Sequence, residues 1–122
     1  METTSEQTEK RDASNYDTLL ERAQELEEWH GIRLERLSAH YDRGERALTV
    51  FCEIHPAKGP KLKHSLHLNA VLYDKDDRIL SQEYGFISQN DFYGFEIVKV
   101  GFYGLPPKKM SNIGRIKVYP AQ

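Results

Sequence analysis

Leu66, Leu68, Ala70 and Leu72 fall at every second position, while His67, Asn69 and Tyr73 take the places facing the other way. A period of two sends the four apolar side chains to one face of an extended strand, and that face needs a second apolar layer to cover it. The same period recurs in Leu48, Val50, Cys52 and Ile54, within a strand expected from Arg46 to His55. A strand from Leu34 to Tyr41 precedes it, and the polar run Asp42-Arg43-Gly44-Glu45 closes the pair as a hairpin. Pro56 and the run Ala57-Lys58-Gly59-Pro60 break the pattern before Leu66.

Asp74 to Asp77 form a turn into a strand from Arg78 to Ser88, which carries Ile79, Leu80, Tyr84, Phe86 and Ile87. A long stretch from Phe92 to Leu105 follows. Its inward phase slips between Ile97 and Val98, which together with Gly94, Gly101 and Gly104 predicts a β-bulge or bend. After the loop Pro106 to Lys109, a last strand from Gly114 to Tyr119 points Ile116 and Val118 inward. Closely spaced strands with polar turns predict a mainly β fold, an antiparallel β-sandwich of about six strands, over a barrel or a mixed fold.

Ahead of Gly31 the period is helical. Leu19, Ala23, Leu26 and His30 make one stripe flanked by Leu20 and Trp29, on a surface rich in Glu21, Glu25, Glu27 and Glu28. Ser14 and Asp17 resemble a capping pair and Gly31 a C-cap, so one N-terminal amphipathic helix is expected from Asn15 to His30. Residues 1–13 have no apolar side chain beyond the initiator and Ala13, too little to offset ordering entropy. The expected organisation is a tail over 1–13, a helix over 14–31 and a β-sandwich domain over 32–122.

The net charge of −2 hides an asymmetry. Residues 1–31 carry nine acids and three bases, and residues 32–122 ten acids and fourteen bases. Either the acidic segment lies against its own basic domain, or that domain faces an anionic partner. One cysteine, Cys52, excludes an internal disulfide and any multi-cysteine zinc cluster. Its place on an apolar strand face makes it a small buried hydrophobe. The first residues lack the apolar core of a signal peptide, and no stretch has the apolar length of a membrane span, so a cytoplasmic protein is expected, away from membranes.

Leu68-Asn69-Ala70-Val71-Leu72-Tyr73-Asp74, followed by Lys75-Asp76-Asp77-Arg78-Ile79-Leu80, resembles the bacterial FxLYD-type domains, which are small immunoglobulin-like sandwiches. The match spans residues 68–80, with Ala70 at the position of the family's phenylalanine and Asp77 where a turn glycine is common. Members are usually found outside the cytoplasm. The resemblance implies an immunoglobulin-like sandwich serving as a binding or accessory module, with no catalytic residues to carry over.

Nothing in the local pattern sets a nucleophile beside a base and an orienting group, so no enzyme activity is expected. His64 and His67 are three apart, which on a strand points them to opposite faces, so no metal site or cofactor is expected. The leading expectation is a protein-interaction module, in which Leu19, Leu26 and Trp29 contact a protein partner, including a second copy in a homo-oligomer. The alternative is an anion- or nucleic-acid-binding domain using Lys58, Lys61, Lys63, Lys108 and Lys109, provided the two basic loops converge.

Overall fold

The computed structural model describes residues 15–122. Seven strands among them form two sheets that pack face to face as a β-sandwich. The strands are β1 (Leu20–Arg22), β2 (Ile32–Asp42), β3 (Ala47–Pro56), β4 (Leu66–Asp74), β5 (Ile79–Ile87), β6 (Glu96–Phe102) and β7 (Ile113–Ala121). Two short helices, α1 (Gln24–Trp29) and α2 (Pro107–Met110), lie outside the sheets. One sheet has the order β1-β7-β4-β5 and the other β2-β3-β6. All pairings are antiparallel except β1 with β7, which is parallel.

The expected inward positions are the core. Leu48, Val50, Cys52 and Ile54 of β3 are buried and face Leu66, Leu68, Ala70 and Leu72 of β4 within one cluster, which Ile116 and Val118 of β7 complete. Each fully buried aliphatic side chain contributes roughly 1.5 to 3 kcal/mol of transfer free energy, so this shared layer holds the sheets together. Burial in it pushes the Cys52 thiol up to about 12.

The expected helix from Asn15 to His30 does not form as one element. Asp17–Leu19 is a 3-10 turn, Leu20–Arg22 joins β7 as a strand, and only Gln24–Trp29 is α-helical. An isolated helix with a narrow apolar stripe is marginal, whereas the edge of β7 offers a ladder of backbone hydrogen bonds. The segment therefore belongs to the sandwich as its seventh strand. Gly31 does end α1, in the left-handed region at φ 70° that glycine adopts without strain. The capping residue Ser14 and the tail over 1–13 lie outside the described residues.

Of the β-bulge or bend expected between Phe92 and Leu105, the structure has bends, at Gly94 and Gly104 on either side of β6, and no bulge within it. β6 pairs with β3 in unbroken register from Glu96 to Phe102, with Val98, Val100 and Phe102 inward. The phase slips in sequence because Phe95 and Ile97, although apolar, point out to solvent. The bulges lie elsewhere. Arg36 and Leu37 oppose the single residue Cys52, with Arg36 at φ 54°, and Leu80 and Gly114 are extra residues in β5 and β7. Gly114 is required there, because a Cβ would stand 2.8 Å from the carbonyl oxygen of Asp74.

Candidate interaction surface

A sandwich has two sides on which its sheet edges end, and this chain treats them differently. On one side the segment 15–31 covers both edges. β1 pairs along β7 through Leu20 with Ile116, Glu21 with Lys117 and Arg22 with Val118. The free edge of β2 is met by side chains: Asp17 Oδ1 accepts the Ala39 N–H at 2.8 Å, and Glu27 Oε1 accepts the Leu34 N–H at 3.0 Å. Tyr16 N–H adds a bond to the Ala39 carbonyl at 3.0 Å. Glu27 is buried and also accepts from Arg22 Nε at 3.0 Å, so its charge is compensated. The acidic segment thus lies on its own domain, and Glu21 Oε2 approaches Arg115 Nε to 3.8 Å.

On the other side neither edge has a further strand paired to it among the described residues. β5 pairs only with β4, and β6 only with β3. The two strands come together at Gly85, where a Cβ would lie 3.1 Å from Val98 Cγ1 and 3.3 Å from the Lys99 carbonyl oxygen. Tyr84 (61% exposed) and Phe86 (59%) of β5 stand on the outer face of one sheet, and Phe95 (51%), just before β6, and Ile97 (64%) of β6 are exposed on the other. Solvent-facing large apolar side chains concentrated on two adjoining edges are the mark of a contact surface.

Several of the rings are held in place. His67 of β4 meets the Tyr84 ring edge-on at 4.8 Å between centroids and the Phe86 ring at 5.4 Å. His55 stacks flat on Phe95 at 5.3 Å, with 7° between planes. Such contacts reduce the rotamer freedom a partner would otherwise have to freeze. The triplet Phe-Tyr-Gly occurs at both ends of β6, as Phe92-Tyr93-Gly94 and Phe102-Tyr103-Gly104. In each, the phenylalanine is buried, the tyrosine exposed and the glycine left-handed, at φ 84° and 69°. The sequence reading missed this repeat, and the slipped phase at Ile97 was the available signal for the outward stripe.

The residues expected to contact a partner sit on the covered side. Leu19 packs partly buried against the core, while Leu26 and Trp29 of α1 are exposed beside Arg22 and Gln24. Leu26 and Trp29 share a surface, and Leu19 is not part of it. The basic residues do not converge. Lys58, Lys61 and Lys63 lie in the loop between β3 and β4, where Lys61 Nζ stands 5.3 Å from the Tyr93 ring centroid. Lys108 and Lys109 are on α2, which leads into β7 beside the far end of β4, where Ile113 pairs with Asp74. The length of the sandwich separates the two groups.

Four of the five histidines fall in three settings, and His40 meets the Phe51 ring edge-on at 6.4 Å between centroids. His64 faces His30 of the covered side, Nε2 to Nδ1 at 3.5 Å, and burial, followed by His64 and Lys63, pulls the His30 pKa down. His67 belongs to the Tyr84 and Phe86 cluster. His55 Nε2 lies 2.9 Å from Glu53 Oε1, and Glu35 stands opposite Glu53 across the β2–β3 pair. These three side chains bring possible ligand atoms within 4.8 Å of one another. Both carboxylates are already engaged by guanidinium groups: Arg33 Nε lies 2.7 Å from Glu35, which lowers the Glu35 pKa, and Arg36 Nε lies 3.4 Å from Glu53. The cluster is a compensated ion-pair network across two strands.

No helix among the described residues is long and apolar enough to cross a membrane. No protein-family model, curated protein or solved structure matches the chain.

Proposed function

We propose that this chain is a non-enzymatic protein-interaction module that engages another polypeptide through the β5 and β6 edges. One observation carries the reading: among the described residues, both sheet edges on one side are covered by the segment 15–31 and neither edge on the other side is paired, with Tyr84, Phe86, Phe95 and Ile97 exposed there. An unpaired strand edge offers a row of N–H and C=O groups that matches an extended backbone, and flanking aromatic side chains supply the buried area. The anion-binding alternative is less favoured, because its lysines stand at opposite ends of the sandwich.

The segment that resembles FxLYD-type domains supports the same class, since it builds β4 and the turn into β5. A single buried cysteine fits a reducing, cytoplasmic setting. The test is a photo-crosslinking amino acid placed at position 84, 95 or 29 in the full chain. Positions 84 and 95 should give one discrete protein adduct, lost when Phe86→Lys is added. Adducts from position 29 alone, or from none of the three, would contradict the reading.

A further inference from the structure

Resting on the reading of the β5 and β6 side as an interaction surface, we infer that its occupant is a second copy of this chain, with the two β5 strands paired antiparallel about a two-fold axis at Gln82. The first argument is the strand itself. Among the described residues Ile79–Ile87 is paired on one side only, contains no proline, no lysine and a single charge, Glu83, and beyond the bulge at Leu80 runs in unbroken register from Ser81 to Ile87. Natural edges of this length are ordinarily blunted by such residues or covered. A second copy is present wherever the chain is, at the same concentration, and a two-fold contact closes on itself rather than propagating.

The second argument is register. In a continuous antiparallel sheet, directly opposed residues share a face, so a two-fold axis must pass at a residue and oppose positions of equal parity. An axis at Glu83 sets two carboxylates directly against each other, which is unfavourable. At Tyr84 the axis leaves Gln82 against Phe86 and carries Leu80 past the end of the strand. Centring on Gln82 opposes Gln82 with itself, Ser81 with Glu83 and Leu80 with Tyr84, and the matched run ends at the Leu80 bulge. Apolar then meets apolar, the carboxylate meets a hydroxyl, and the central amides can exchange hydrogen bonds.

Cys52 is buried and its thiol is pushed up to about 12, so a cysteine introduced on the surface is the reactive one. Residues opposed at a two-fold axis stand roughly 4.5 to 5.5 Å apart at Cα, within the span of a disulfide. The experiment combines light scattering on the full chain with mild oxidation of Gln82→Cys and, as a control, Trp29→Cys. The expected result is a mass twice that of the chain, nearly complete cross-linking of Gln82→Cys and none of Trp29→Cys. Tyr84→Lys, at an exposed position that leaves the core intact, should return the mass to that of one chain, with a melt that stays cooperative and no longer depends on concentration. A single-chain mass at every concentration, or a dimer that cross-links through position 29, overturns the inference. If the chain is monomeric yet position 84 still yields an adduct with a different protein, self-pairing is wrong and the interaction surface stands. If position 84 yields nothing, both fail.

Discussion

The Glu27 carboxylate accepts the backbone N–H of Leu34 at 3.0 Å, an acid from a short helix taking the place of a neighbouring strand. With Asp17 on Ala39 and β1 along β7, it finishes one side of the sandwich. Replacing Glu27 by Ala leaves a buried N–H unbonded and the Arg22 guanidinium unpaired. A loss of about 2 to 3 kcal/mol is expected, read as a lower midpoint in urea unfolding. Leu26→Ala and Trp29→Ala, on exposed positions of the same helix, should each stay within about 0.5 kcal/mol of the parent.

His30 gives the fold a pH dependence with a definite sign. Burial, then His64 and Lys63, hold its folded pKa below the ordinary histidine value, so the unfolded chain takes up the proton more readily. This contribution to stability is fully present above the unfolded pKa and is lost as pH falls through the folded one. Melting temperature should therefore decline on acidification below about pH 6.5, and His30→Gln should flatten that decline. An unchanged slope in the variant would refute the assignment.

Asp77 sits in the left-handed region at φ 65°, at the turn position where glycine is common. Its neighbour Asp74 organises the turn by accepting the N–H groups of Asp76 and Arg78 at 2.8 and 2.9 Å. Asp77→Gly removes the Cβ strain and should stabilise by roughly 0.5 to 1 kcal/mol, measured by thermal or urea unfolding.

Gly85 permits the close approach of β5 to β6. Even Gly85→Ala places a methyl group 3.1 Å from Val98 Cγ1, and Gly85→Val adds bulk that neither strand can accept. A cost of about 1 to 3 kcal/mol is expected for the valine variant, with faster proteolysis of β5 as the second readout.

The sandwich was legible because the β3, β4 and β7 alternations each bury one face, and a one-residue slip would expose all of it. The helix was misread because Leu19, Ala23, Leu26 and His30 fit a period of 3.6, whereas the segment's fate is decided by unpaired amides on β2 and β7 that no local pattern reveals. The open side was hidden for a related reason. Phe95 and Ile97 look like core residues in sequence, and only the register with β3, which opposes Ile97 to Glu53, turns them outward. Partner contacts were expected at Leu19, Leu26 and Trp29, on the side where the segment 15–31 lies. Pairing of the basic loops depends on which strand ends are neighbours, a property of topology alone.

Amide hydrogen exchange on the dilute full chain tests the central asymmetry most directly. The account predicts slow exchange at Leu34 and Ala39, whose N–H groups are held by Glu27 and Asp17, and fast exchange at the outward-facing amides of β5. Protection on β5 should appear only when its partner is added or the concentration is raised. Equal protection of the two edges in the dilute chain, or faster exchange at Leu34 and Ala39 than along β5, would contradict it.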